Sequence, residues 1–135
     1  MRLRGKVLVA MLLVFLTAGQ AWAAFCWRDN FGGTVVMELG QGVGSFIPVM
    51  GAYLAPPNDP ACLGHRIYPF HGIAKIVGSV ALLGFTAYSE DGTNCGSAMG
   101  EVRVDLNTLQ GTGYSRGAPH FDLPELTTFT PVTCP

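Results

Sequence analysis

Charge is scarce in this 135-residue chain, where Asp, Glu, Lys and Arg make up 13% of the residues. Beyond residue 23 only Arg28, Arg66, Lys75, Arg103 and Arg116 are basic, against nine acidic residues, a formal charge of −4. Five dispersed cations supply no electrostatic footprint for nucleic acid and no polybasic segment for an anionic lipid surface. No Cys-x-x-Cys occurs; Cys26, Cys62, Cys95 and Cys134 lie 36, 33 and 39 positions apart. Cys62-Leu63-Gly64-His65 alone falls short of a zinc set, and no metal or cofactor is expected. The chain has no Gly-x-Ser-x-Gly elbow and no His-Glu-x-x-His. Its glycine-rich stretch Gly40 to Gly44 lacks the Lys and the following helix of a phosphate loop. Neither Asn94-Cys95-Gly96 nor Asn107-Thr108-Leu109 is a glycosylation site. No segment past residue 24 sustains a 3.6-residue apolar period, so helices are not expected there.

What is present begins with a leader. Arg2, Arg4 and Lys6 precede an apolar run from Val7 to Leu16, and Ala21-Trp22-Ala23 is a small-x-small cleavage site. This reads as a signal peptide over 1–23, cut after Ala23. The apolar run is shorter than the roughly 20 residues that span a bilayer. Phe25 before Cys26 does not suit lipid attachment, and Leu3 separates the two arginines of what would be a twin-arginine signal. The expectation is a secreted or periplasmic protein with no transmembrane segment after signal removal and a single domain over 24–135. An even number of cysteines in such a chain implies two disulfides, for which three connectivities exist.

Short β-type runs alternate with Gly, Pro, Asn and Asp clusters from Phe25 onward, which predicts an all-β fold. Eight strands are expected: Phe25 to Arg28, Thr34 to Leu39, Ser45 to Leu54, Arg66 to Val77, Val80 to Tyr88, Ala98 to Leu106, Thr112 to Arg116, and Leu126 to Thr133. Val102, Val104 and Leu106 alternate with Glu101, Arg103 and Asp105, the pattern of a strand with one face in the core. In Asp105 to Gly111, Asp and Asn suit turn bonding and Gly111 suits a bulge.

Gly78-Ser79 between two apolar runs is the signature of a two-residue type II′ hairpin turn. Val77 then pairs with Val80, Ile76 with Ala81, Lys75 with Leu82, Ala74 with Leu83, Ile73 with Gly84, and Gly72 with Phe85. Opposed residues share a face, and Lys75 must reach water. Ala74, Ile76, Ala81, Leu83 and Phe85 therefore point inward, with Gly72 leaving room for the Phe85 ring. Ile73, Val77, Val80 and Leu82 form an apolar outer stripe, a candidate surface for self-association into a homodimer.

Short turns favour pairing of sequence neighbours, an antiparallel up-and-down meander of about eight strands. Such a sheet closes into a small barrel or splits into a β-sandwich; closure removes both edges, which favours the barrel. In a meander the long loops after the third, fifth and seventh strands share one end. That geometry brings Cys62 near Cys95, and Cys26 near Cys134 at the opposite end, where a bond staples the first strand to the last. The pattern resembles the calycin type of barrel, to which lipocalins and avidins belong, over essentially the whole of 24–135. The likeness is one of architecture: Trp27 follows Cys26 and Phe25 rather than a Gly-x-Trp motif, and the single Trp past residue 23 leaves no Trp-rich pocket.

By fold analogy, the expected function is binding of a small apolar ligand or of a partner surface, with no chemistry evident. A structural or self-assembly module of the envelope is the alternative, and a barrel-mouth isomerase or lyase comes third. Residues at the long-loop end, His65, Arg66, Tyr68, Arg116 and His120, are the candidate ligand contacts, and His65 or His120 is the candidate general base.

Overall fold

The computed structural model describes residues 24–57, 66–88, 96–117 and 122–135. The leader, Cys62, His65, Cys95 and His120 lie outside the described residues. Eight strands follow in order: β1 (Phe25–Asp29), β2 (Thr34–Leu39), β3 (Phe46–Leu54), β4 (Ile67–Val77), β5 (Val80–Tyr88), β6 (Ser97–Asp105), β7 (Gly111–Arg116) and β8 (Thr127–Val132). Each pairs antiparallel with its sequence neighbour, and β8 returns to β1, so the sheet is a closed meander barrel with no free edge. The sandwich alternative does not apply.

The β4–β5 register is the one that the Gly78-Ser79 turn dictates, from Val77 opposite Val80 to Gly72 opposite Phe85. Gly78 takes φ +60, as the first central position of a type II′ turn requires and as only glycine adopts freely. Since β-strand side chains alternate, Tyr68, Phe70, Ala74, Ala81 and Ala87 are buried inside, while Ile73, Lys75, Val77 and Leu82 are exposed outside. Val80 and Ile76, near the turn, are half-buried.

Two details differ from expectation. Gly72 and Gly100 both stand opposite Phe85, but the ring leans toward β6, where a Cβ on Gly100 would come within 2.6 Å of the ring carbon Cζ. Gly100, not Gly72, makes room for it. In the β6–β7 loop the left-handed residue is Leu109 (φ 62), and Gly111 is a regular β7 residue paired with Val104 and Phe129. Asp105 accepts the Asn107 N–H through its side chain at 2.8 Å, the turn bond that the Asp-Leu-Asn sequence suggests. The Leu109 carbonyl accepts the Trp27 Nε1–H bond at 2.7 Å, which ties this loop across the bottom of the barrel.

At that same end Cys26 and Cys134 form a disulfide with a Cα–Cα distance of 5.2 Å. It closes the seam where β8 pairs with β1 over only four residue pairs.

Candidate functional site

The end opposite the disulfide gathers the ends of β1, β3, β5 and β7. Arg66, just before β4, donates to the carbonyls of Ala55 and Pro56, so its guanidinium fastens the end of β3. Arg116, at the end of β7, donates to the carbonyls of Ser115 (3.0 Å) and Leu123 (2.9 Å). It also lies 3.8 Å from Asp122, 3.7 Å from Glu125 and over the Tyr114 ring at 5.2 Å. Both arginines hold backbone in place. Tyr68 is fully buried in the core beside Tyr53 and Phe70. The structure thus brings Arg66 and Arg116 to one end, as expected, but sets Tyr68 below them inside the barrel. No group of three or more His, Cys, Asp or Glu side chains that could hold a metal occurs among the described residues.

Leu123 closes this end from within. Its N–H donates to Ser115 Oγ at 2.9 Å and its carbonyl accepts the Ser115 N–H at 3.1 Å, which folds its buried side chain over the interior. A second closure is built around Asp29, a buried carboxyl at the end of β1. One oxygen accepts the N–H groups of Phe31 and Gly33, each at 2.8 Å, and the other accepts the Tyr53 hydroxyl at 2.6 Å. This clamp ties the β1–β2 turn to β3. Tyr53→Phe keeps the packing and removes one donor from a buried carboxyl, so the midpoint of denaturant unfolding should fall by the equivalent of about 1.5–3 kcal/mol. An unchanged midpoint would mean that the clamp contributes nothing to stability.

Between these closures the interior is almost filled. Trp27, Val35, Met37, Tyr53, Phe70 and Phe85 and their neighbours line a partly open cavity of about 50 Å³ with an apolar lining. Ligand sites for small molecules typically measure about 300–1,000 Å³. The cavity has room for a few waters and falls well short of such a site.

Surface apolar residues concentrate instead on one outer wall. Phe46, Met50, Ile67, Ile73, Val77, Leu82, Tyr88 and Met99 are eight of the eleven exposed large hydrophobic residues among those described, and all eight point outward from β3, β4, β5 or β6. The registers set these side chains in neighbouring rows, interleaved with Lys75, Arg103, Glu101, His71 and Thr86: Phe46–Lys75–Leu82–Arg103, Pro48–Ile73–Gly84–Glu101 and Met50–His71–Thr86–Met99 run side by side across four strands. Lys75 lies over the Phe46 ring at 5.6 Å, and His71 Nδ1 is 2.7 Å from the Tyr88 hydroxyl. Of the outer stripe expected on β4 and β5, Ile73, Val77 and Leu82 are exposed in the middle of this wider wall, and Val80 is half-buried.

Sequence reasoning passed over the β3 and β6 contributions, though a signal exists: Phe46-Ile47-Pro48-Val49-Met50 is apolar at every position, so the strand must present apolar side chains on both faces. The Asp29 clamp and the Leu123 plug carry no such periodic signal. In comparisons with known proteins the chain matches no family model, no curated protein and no solved structure.

Proposed function

We propose that the protein is an exported, disulfide-stapled barrel that works through its outer wall, as a partner-binding or structural module of the envelope or the extracellular space. The observation that carries this reading is the contrast between a filled interior and an apolar exterior: about 50 Å³ inside, against eight exposed large hydrophobic residues on four adjacent strands outside. Contiguous apolar surface is uncommon on soluble monomers and usually marks a contact site. Of the two kinds of binding expected by analogy with calycin-like barrels, the partner surface is therefore favoured over the interior ligand. Export is supported by the basic, apolar and small-x-small order of residues 1–23, and the Cys26–Cys134 bond suits an oxidising compartment.

Native mass spectrometry of the protein purified from its own source without reductant tests this reading. The expected species begins at Ala24 and carries no stoichiometric small molecule. A one-to-one apolar ligand that survives purification would replace the wall with the interior as the working part, and a chain that keeps residues 1–23 would overturn export.

A further inference from the structure

We infer that Met50, His71 and Met99 form a binding site for one monovalent copper ion on the outer face of the barrel. The site goes beyond the reading of the wall as a contact surface and depends on no partner. Its three donors come from β3, β4 and β6, so no motif spacing announces them. The registers bring them into one row: Met50 is opposite His71, His71 is opposite Thr86, and Thr86 is opposite Met99. Opposed residues share a face, and all three donors are exposed.

His71 stands between the two methionines. Its Nδ1 is 2.7 Å from the Tyr88 hydroxyl, with the ring centroids 5.7 Å apart. When Nδ1 carries the proton it donates to the Tyr88 oxygen and leaves the Nε2 lone pair for a metal, the outer-sphere arrangement that fixes the tautomer of a ligating histidine. Met50 approaches from β3. Opposed Cβ atoms are about 4.5–5.5 Å apart, within the span of a thioether and an imidazole that share one ion. Met99 is two strands from His71, about 9.5 Å along the row. Its unbranched side chain with three rotatable bonds reaches back over Thr86, the short residue between them.

The donor set selects the ion. Thioether ligands favour monovalent copper, whereas magnesium, calcium and manganese want oxygen, and no cluster of His, Cys, Asp and Glu among the described residues offers zinc a site. Glu38, opposite Met50 on β2, sets a carboxyl group at one end of the row. At the other end Arg116, opposite Met99, is engaged with Asp122, Glu125 and the Tyr114 ring. Core packing does not explain the two methionines, which are 56% and 67% exposed, whereas Met37 lines the interior. In the oxidising compartment proposed above, thiolates are consumed in disulfides and thioethers remain as soft donors.

Titration of the oxidised protein tests the site, with any free thiol blocked by N-ethylmaleimide and copper held monovalent by ascorbate and buffered by bicinchoninate. Wild type should take up one copper per chain, and the Met50 and Met99 methyl signals should shift while Met37 stays fixed. Loss of an outer-sphere partner weakens a metal site about 10–100-fold. Tyr88→Phe should therefore weaken binding about tenfold with the stoichiometry kept at one, and His71→Ala, Met50→Leu and Met99→Leu should each weaken it by at least that factor. All four side chains are exposed, so the fold tolerates these changes, and unchanged circular dichroism checks this. The leucines keep the wall apolar, so loss of the site leaves the contact reading standing. No uptake by the wild type would overturn the site, as would uptake that survives the loss of His71 or of either methionine, or zinc held as tightly as copper. Unchanged affinity in Tyr88→Phe would overturn the positioning role of Tyr88.

Discussion

Replacing Cys26 and Cys134 together with serine is expected to lower the free energy of unfolding by about 4–5 kcal/mol, the value for a cross-link that closes a loop on the order of 100 residues. The two cysteines are 108 positions apart, so the bond removes conformational freedom from nearly the whole unfolded domain. The native seam has little to replace it with. β8 pairs with β7 over three residue pairs and with β1 over four, and Pro131 within β8 brings no N–H to the ladder. Domains of this size are stable by about 5–15 kcal/mol, so the loss takes a large share of the total. Guanidinium unfolding of the oxidised and substituted proteins measures it. A difference below about 1 kcal/mol would show that the barrel closes without its staple.

Gly100→Val carries the second large effect, an expected loss of about 3 kcal/mol or more through overpacking. The new Cβ would stand against the Tyr114 carbonyl oxygen across the β6–β7 ladder and within 2.6 Å of Phe85 Cζ. The ring packs on Phe70 at a centroid distance of 5.8 Å and borders the interior cavity, into which it can yield in part, but the carbonyl moves only if the strands part. Thermal unfolding followed by near-ultraviolet circular dichroism reads both the stability and the packing of the rings. Retention of the wild-type midpoint would place the ring elsewhere.

The strands and their order were legible because turn chemistry and alternation act over a few residues. Gly78-Ser79 sets one register, Lys75 assigns the faces, and short turns make neighbours pair. The parity of a meander then puts Cys26 beside Cys134 without further information. What escaped depends on contacts between elements far apart in sequence. The hairpin shows Phe85 only its β4 neighbour, Gly72, whereas the ring chose Gly100 on β6 by leaning along the wall. Leu109 takes the left-handed conformation although Gly111 is close by, and its carbonyl accepts a bond from Trp27 on β1, which lies beyond β8 and is far away in sequence. Tyr68 reads as a polar-tipped residue near a loop end, but its alternation with Phe70 places it inside. The breadth of the outer wall needed the registers of three strand pairs at once.

One measurement separates wall from interior most directly: the methyl NMR spectrum of protein with labelled methionine. Past residue 23 the chain has three methionines. Met37 lines the interior cavity, whereas Met50 and Met99 stand on the outer wall. The account predicts that an apolar dye shifts the Met50 and Met99 signals, and that Met37 stays fixed on titration with the same molecule. A saturable shift of Met37 with that molecule, while Met50 and Met99 remain unchanged, would contradict it.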